Sequence, residues 1–245
     1  SFLLDDGELD AIAQASAVEL GIDGQQSGPV TITSARFAAL GIPIRVYATG
    51  SGGSVTLSDA GGAALDVGAG VAEIRADQDI VAVDGANGGA EIATDQTGAD
   101  VVLLATADGA IGAPGDPIQL LTGSDPVTVP SAPGGAYLDG LGGSLSLGDV
   151  SGVLGELSLG LSGGGSLFLW GDITLPGVDL TLDAPVVVAD TSDGVVTITT
   201  DGPGTVDGEV TFTGTIDELT GETVGLARVT GTGGATSAGD ATAAD

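Results

Sequence analysis

One phrase returns along the whole of this 245-residue chain: a glycine, a few residues alternating apolar and polar, then a turn. It stands at Gly53 (GSVTL), Gly89 (GAEIA), Gly143 (GSLSLGD), Gly155 (GELSLG), Gly165 (GSLFLWGD), Gly177 (GVDLTLD), Gly194 (GVVTITT), Gly208 (GEVTFTG) and Gly225 (GLARVTG). Side chains alternate sides along an extended backbone, so each phrase reads as a short strand with one face inward. From Gly143 onward the phrases follow one another at roughly 10–17 residues, a spacing that suits strand-plus-turn units stacked many times.

The interior of such a stack is narrow, and the composition fits it. Aromatic residues make up only 3% of the chain, against 45 glycines and 42% hydrophobic residues. The core must therefore be filled by Val, Leu, Ile and Ala, a few from each coil. Regular alternation at this hydrophobic content sets the chain apart from a disordered acidic segment.

Strands of roughly 4–5 residues, two or three to a coil, give coils of about 20–30 residues. The expected fold is all-β: a right-handed parallel β-helix of roughly 8–12 coils, rising about 4.8 Å each, in a rod about 40–55 Å long. Residues 1–230 read as one solenoid module. Residues 231–245 (GTGGATSAGDATAAD) have lost the apolar positions and read as a frayed tail or a linker to a following repeat. At the other end, Asp5–Ser16 (DDGELDAIAQAS) reads as a short helix or turn, with Leu9, Ile12 and Ala13 on one face.

The charge narrows the partners. Four arginines, no lysine and 34 acidic residues give a net charge of −30. This argues against nucleic acid and against anionic lipid surfaces, both of which need basic groups. The acidity suits a solvated surface, a saline medium, or distributed divalent cations held by carboxylate oxygens. Cysteine is absent, so there is no disulfide staple and no thiol chemistry. No apolar run approaches the roughly 18 residues of a membrane span. The chain starts at Ser1-Phe2-Leu3-Leu4, without a methionine or a signal peptide. The expectation is a processed product or a piece of something longer, whose export signal or anchor lies elsewhere.

Three phrases go beyond generic alternation. The first is LLDDGELDAIAQASAVELG, followed by SGPVTIT from Ser27. The second is VVLLATADGAIGAPGDPIQL at Val101–Leu120. The third is the pair GGAYLDGLGGSLSLGDV at Gly134–Val150 and GEVTFTGTID at Gly208–Asp217. In this order they resemble the repeat region of filamentous-haemagglutinin-like giant bacterial adhesins. The resemblance spans roughly residues 3 to 230. It implies a right-handed parallel β-helix, exported across the bacterial envelope and displayed on the surface or secreted. It carries no catalytic residues.

Candidate sites are few. Asp77 with Asp79, Asp190 with Asp193, and Asp5 with Asp6 are possible calcium ligands, although aspartate beside glycine is also ordinary turn chemistry. Phe168 and Trp170 in SLFLW fall on the outward side when Leu167 and Leu169 are aligned with Leu145 and Leu147. They would form a contact patch for a neighbouring rod or a sugar ring, unless a flap or a local register flip covers them. Tyr47, beside Arg45 in IRVYA, is a similar candidate. Nucleophilic triads in their usual form need His or Cys, and the chain has neither. A glycosidase would need only paired carboxylates. The only basic side chains are Arg36, Arg45, Arg75 and Arg228.

The expected function is thus a non-catalytic, structural or adhesive extracellular rod, needing no cofactor, with calcium as the one candidate ion. Its expected partners are neighbouring modules or copies of itself end to end, and cell-surface glycans. The alternatives are a self-assembling filament subunit, joined end to end or by strand exchange, and a polysaccharide-active β-helix enzyme.

Overall fold

The computed structural model describes residues 16–33, 35–38, 40–59, 62–83, 89–96, 98–162, 164–189, 195–202, 208–218, 225–230 and 235–237. Among them every regular element is a β-strand. The first coil holds β1 (Val18–Leu20), β2 (Val30–Thr33) and β3 (Ala35–Arg36). The second holds β4 (Ile44–Ala48), β5 (Val55–Ser58) and β6 (Leu65–Asp66). The third holds β7 (Ala72–Ala76), β8 (Ile80–Val83) and β9 (Ile92–Ala93), and the fourth β10 (Val101–Ala105), β11 (Ala110–Ile111) and β12 (Ile118–Leu121). Two coils of two longer strands follow: β13 (Val127–Ser131) with β14 (Gly135–Leu141), then β15 (Ser144–Val150) with β16 (Leu157–Ser162). The seventh holds β17 (Ser166–Leu169), β18 (Ile173–Thr174) and β19 (Leu180–Leu182). Above it lie β20 (Val186–Val188), β21 (Val195–Thr199) and β22 (Val210–Phe212), then β23 (Ile216–Glu218), β24 (Gly225–Thr230) and β25 (Ala235–Ser237).

Each strand pairs in parallel with its counterpart one coil away, so the chain is a β-solenoid. One face runs β1-β4-β7-β10-β13-β15-β17-β20-β23. A second runs β2-β5-β8-β11-β14, and a third β3-β6-β9-β12-β14. The two meet at β14, whose start pairs with β11 and whose end pairs with β12. The corner between them is absorbed into one seven-residue strand, and the coil shortens. Ile44 and Ala72, 28 positions apart, are register partners; Val127 and Leu147, 20 positions apart, are partners three coils later.

The first face stacks nine strands, within the eight to twelve coils expected, and about seven turns are described with few interruptions. The early coils use more chain, because a third short strand and its corners are added to the two long sides. β20 to β25 continue the stack, with residues between them that lie outside the described set. Asp5–Ser16 also lies outside it, except for exposed Ser16. Within the stretch read as a tail, β25 pairs with β22.

Stacking in register turns single inward residues into columns. On the first face Val18, Ile44, Ala72, Val101, Val127, Leu147, Leu169 and Val188 lie one above another. On the second, Val30, Val55, Ile80, Ile111, Ala136 and Leu157 do the same. All but Val30 are buried, most completely. Full burial of one such Val, Leu or Ile side chain is worth about 1.5–3 kcal/mol. The rod is therefore held by many small equal contributions, with Phe37 and Phe212 as larger plugs.

Candidate functional site

The aromatic pair sits where the alternation of SLFL places it. Leu167 and Leu169 are buried, and Phe168 points the other way, in register with Ser146 below and Val187 above. Both rings are only half exposed. Ser146, turned away from the core between Leu145 and Leu147, is completely enclosed and its hydroxyl donates to the Gly123 carbonyl at 2.7 Å. The turn at 122–125 thus lies against this outward face. Trp170 follows β17, and its backbone N–H donates to Leu147 O at 2.7 Å. Its indole Nε1 is enclosed and has no acceptor among the described residues. The pair is a half-covered ridge, not two free rings.

Tyr47 is more covered still, at 9% exposure. The register explains why. Glu19, Arg45 and Glu73 are successive partners on β1, β4 and β7, and so are Tyr47 and Arg75. Arg45 bridges Glu19 and Glu73 at 3.2 Å each, Arg75 pairs with Glu73, and the Arg75 guanidinium stands 5.8 Å from the centre of the Tyr47 ring. Burial, reinforced by the Glu73 charge, pushes the Tyr47 hydroxyl above its ordinary pKa. The Tyr47 ring is therefore part of a coil-to-coil ladder, which corrects the expectation of an open aromatic.

The aspartate candidates resolve into a structural device. Asp77 Oδ2 accepts from Gly52 N–H at 2.7 Å, and Asp79 Oδ1 accepts from Ala110 N–H at 2.8 Å. Each bond joins one coil to the next. The same staple recurs: Asp149 accepts from Asp172 N–H at 2.9 Å, Asp172 from Thr197 N–H at 2.7 Å, and Asp179 from Glu209 N–H at 2.8 Å. Part of the acidity thus serves the corners, where backbone donors need partners outside the strand ladders. Asp5, Asp6, Asp190 and Asp193 lie outside the described residues. No group of three or more acidic, His or Cys side chains placed to hold a metal occurs among the described residues. Asp77→Ala is expected to cost about 1 kcal/mol in chemical denaturation, the worth of one partly exposed hydrogen bond, and to leave any response to calcium unchanged.

A groove of about 290 Å³ lies on the outward side of β14 and β16. The turn bearing Pro114 and Pro117 forms one wall, and Tyr137, Ser158 and Gly160 form its base. The Tyr137 hydroxyl donates to Glu156 Oε2 at 3.4 Å. Burial, and then Glu156, raise its pKa. Asp139 lines the groove but is committed to Ser162, accepting from its backbone N–H at 3.0 Å and from its hydroxyl. Alternation in GGAYLDG puts Tyr137 outward between Ala136 and Leu138, a signal present in the sequence but not followed there.

No protein-family profile, curated protein or solved structure matches this chain.

Proposed function

We propose that the chain is a rod segment of a large exported bacterial surface protein, non-catalytic, whose work is to span distance and display surface. The supporting observation is the parallel strand stack with its in-register aliphatic columns. Such a stack is stiff along its axis and exposes corners and outward faces at regular intervals. The resemblance of three sequence phrases to filamentous-haemagglutinin-like adhesins supports the extracellular setting. The half-exposed Phe168 and Trp170, and the Tyr137 groove with its carboxylate, suit stacking on a sugar ring with hydrogen bonds to its hydroxyls.

Electron microscopy of the purified chain tests the spacer reading. Isolated rods about 40 Å long, the rise of the stacked strands, are expected. Long fibres would overturn it in favour of end-to-end assembly as the function. Glycan-array binding tests the adhesive part. Binding by the intact chain should be lost in a Phe168→Ser, Trp170→Ser, Tyr137→Ser triple variant whose circular dichroism is unchanged. An array on which the intact chain binds nothing would leave the rod without a glycan partner.

A further inference from the structure

Two acidic side chains break the rule that carboxylates stay in water. Asp59, just after β5, is 3% exposed, and Glu91, just before β9, is fully enclosed. Burying a charge is costly unless it is paired and hydrogen-bonded. Asp59 meets neither condition, and Glu91 is hydrogen-bonded through one oxygen only. Both carboxylate oxygens of Asp59 and Oε1 of Glu91 are enclosed without any donor. Only Glu91 Oε2 is satisfied, by the Gln119 N–H at 2.6 Å, and this bond fixes the orientation of the group.

The two groups converge. A Cβ added to Gly89 would run into the Asp59 carboxylate and crowd the Gly62 carbonyl oxygen. Gly89 lies two residues before Glu91 at the corner that leads into β9, and the Asp59 charge acts on the Glu91 carboxyl. The side chain missing at Gly89 leaves a cradle bounded by Asp59 and the Gly62 carbonyl, with Glu91 beside it. All the named groups are oxygen acceptors. The chain has no lysine, and Arg45 and Arg75 are held in the outward ladder with Glu19 and Glu73.

We propose that the Asp59 carboxylate, Glu91 Oε1 and the Gly62 carbonyl oxygen bind a hard divalent cation of the calcium class, enclosed between the second and third coils. A single proton would satisfy one pair of these oxygens and leave the others bare. A divalent cation takes several oxygens at once, carboxylate and carbonyl alike, and completes its shell with water. Calcium suits the set better than magnesium, which holds to strict octahedral geometry and keeps its waters. The site would clamp one coil to the next inside the rod.

The test is thermal unfolding at pH 8 in calcium, in magnesium and in chelator, at ionic strength fixed with potassium chloride, alongside equilibrium dialysis with calcium. The proteins are the unmodified chain, Asp59→Asn, Glu91→Gln, and Asp149→Asn as a surface control that keeps the site. Asn and Gln keep shape and remove buried charge, so both site variants should fold and should be at least as stable as the parent in chelator. Calcium is expected to raise the parent midpoint by about 4 °C or more, with one saturable ion per chain, and to do the same for Asp149→Asn. Both effects should vanish in Asp59→Asn and Glu91→Gln. Equal midpoint shifts in all four proteins, or no saturable ion in the parent, would overturn the proposal and leave the pair as a shared-proton site in an acidic chain.

Discussion

Gly165→Ala is expected to cost about 3 kcal/mol or more, the largest loss from any single methyl group in this fold. Two terms add. Gly165 has a φ of +126°, a backbone conformation that L residues rarely adopt. Its Cβ would also overlap the carbonyl oxygen of Gly143, its counterpart one coil below. That oxygen is a ladder acceptor, taking the Ser166 N–H at 3.3 Å, so neither backbone yields without breaking the pairing of β15 with β17. Gly164 separates the terms. Its φ is +75°, and nothing lies within 4 Å of a Cβ there. Gly164→Ala should therefore cost only the dihedral strain, about 1 kcal/mol. Because a solenoid couples only nearest neighbours, the damage should also be local. Hydrogen exchange should show protection lost at Ser166 and Trp170, whose N–H groups donate to Gly143 O and Leu147 O across that seam, while Val46 and Ile74 keep theirs. Equal losses for the two alanine variants would mean that the close approach of the two glycine corners does not limit stability.

The stack itself was legible because its signal is local. Val30–Thr33, Ile44–Ala48, Ile80–Val83, Val101–Ala105, Ile118–Leu121, Val186–Val188 and Val195–Thr199 are strands with the bounds that alternation predicts. The strands missed are those whose identity comes from a neighbour. Ala35–Arg36 and Ala110–Ile111 are two residues long, too short for any period, and are strands because Leu65–Asp66 and Gly135–Ala136 lie alongside. Ile216–Glu218 is a strand by pairing with Val186–Val188.

Sites were less legible, since direction and exposure are different quantities. Alternation correctly turns Ser146, Phe168 and Tyr47 away from the core. It carries no information on what then covers them: the turn at Gly123 for Ser146, and the arginine of the next coil for Tyr47. Asp77 and Asp79 read first as turn residues, with calcium as the alternative, and the structure gives each a backbone donor one coil away. Glu91 is the opposite case. GAEIA reads as a strand with an outward glutamate, yet at this corner chain packs on both sides, and residues 89–93 are all buried.

Removing divalent ions should make the stability of this protein depend on pH in a direction unusual for an acidic chain's best-bonded carboxylates. Glu91 titrates at about 7 in the folded chain against 4.5 for an ordinary glutamate, with burial as the main cause. Between those values the folded state holds a proton that the unfolded state has released. Stability therefore falls as pH rises from about 4.5 to about 7, and the penalty is complete above 7. A shift of this size corresponds to about 3 kcal/mol. General relief of the −30 charge also favours acid, but most carboxylates protonate below pH 5, so the window from 5 to 7.5 belongs to Glu91. In chelator, the denaturation midpoint of the parent should decline across that window, while Glu91→Gln should stay nearly flat and be the more stable protein at pH 8. A parent profile as flat as the variant's would show that Glu91 is ionised without penalty. Calcium at pH 8 should restore part of what the proton supplies at pH 5, because both act on the same unpartnered oxygens. Adding it should shallow the parent's slope and leave the variant's unchanged.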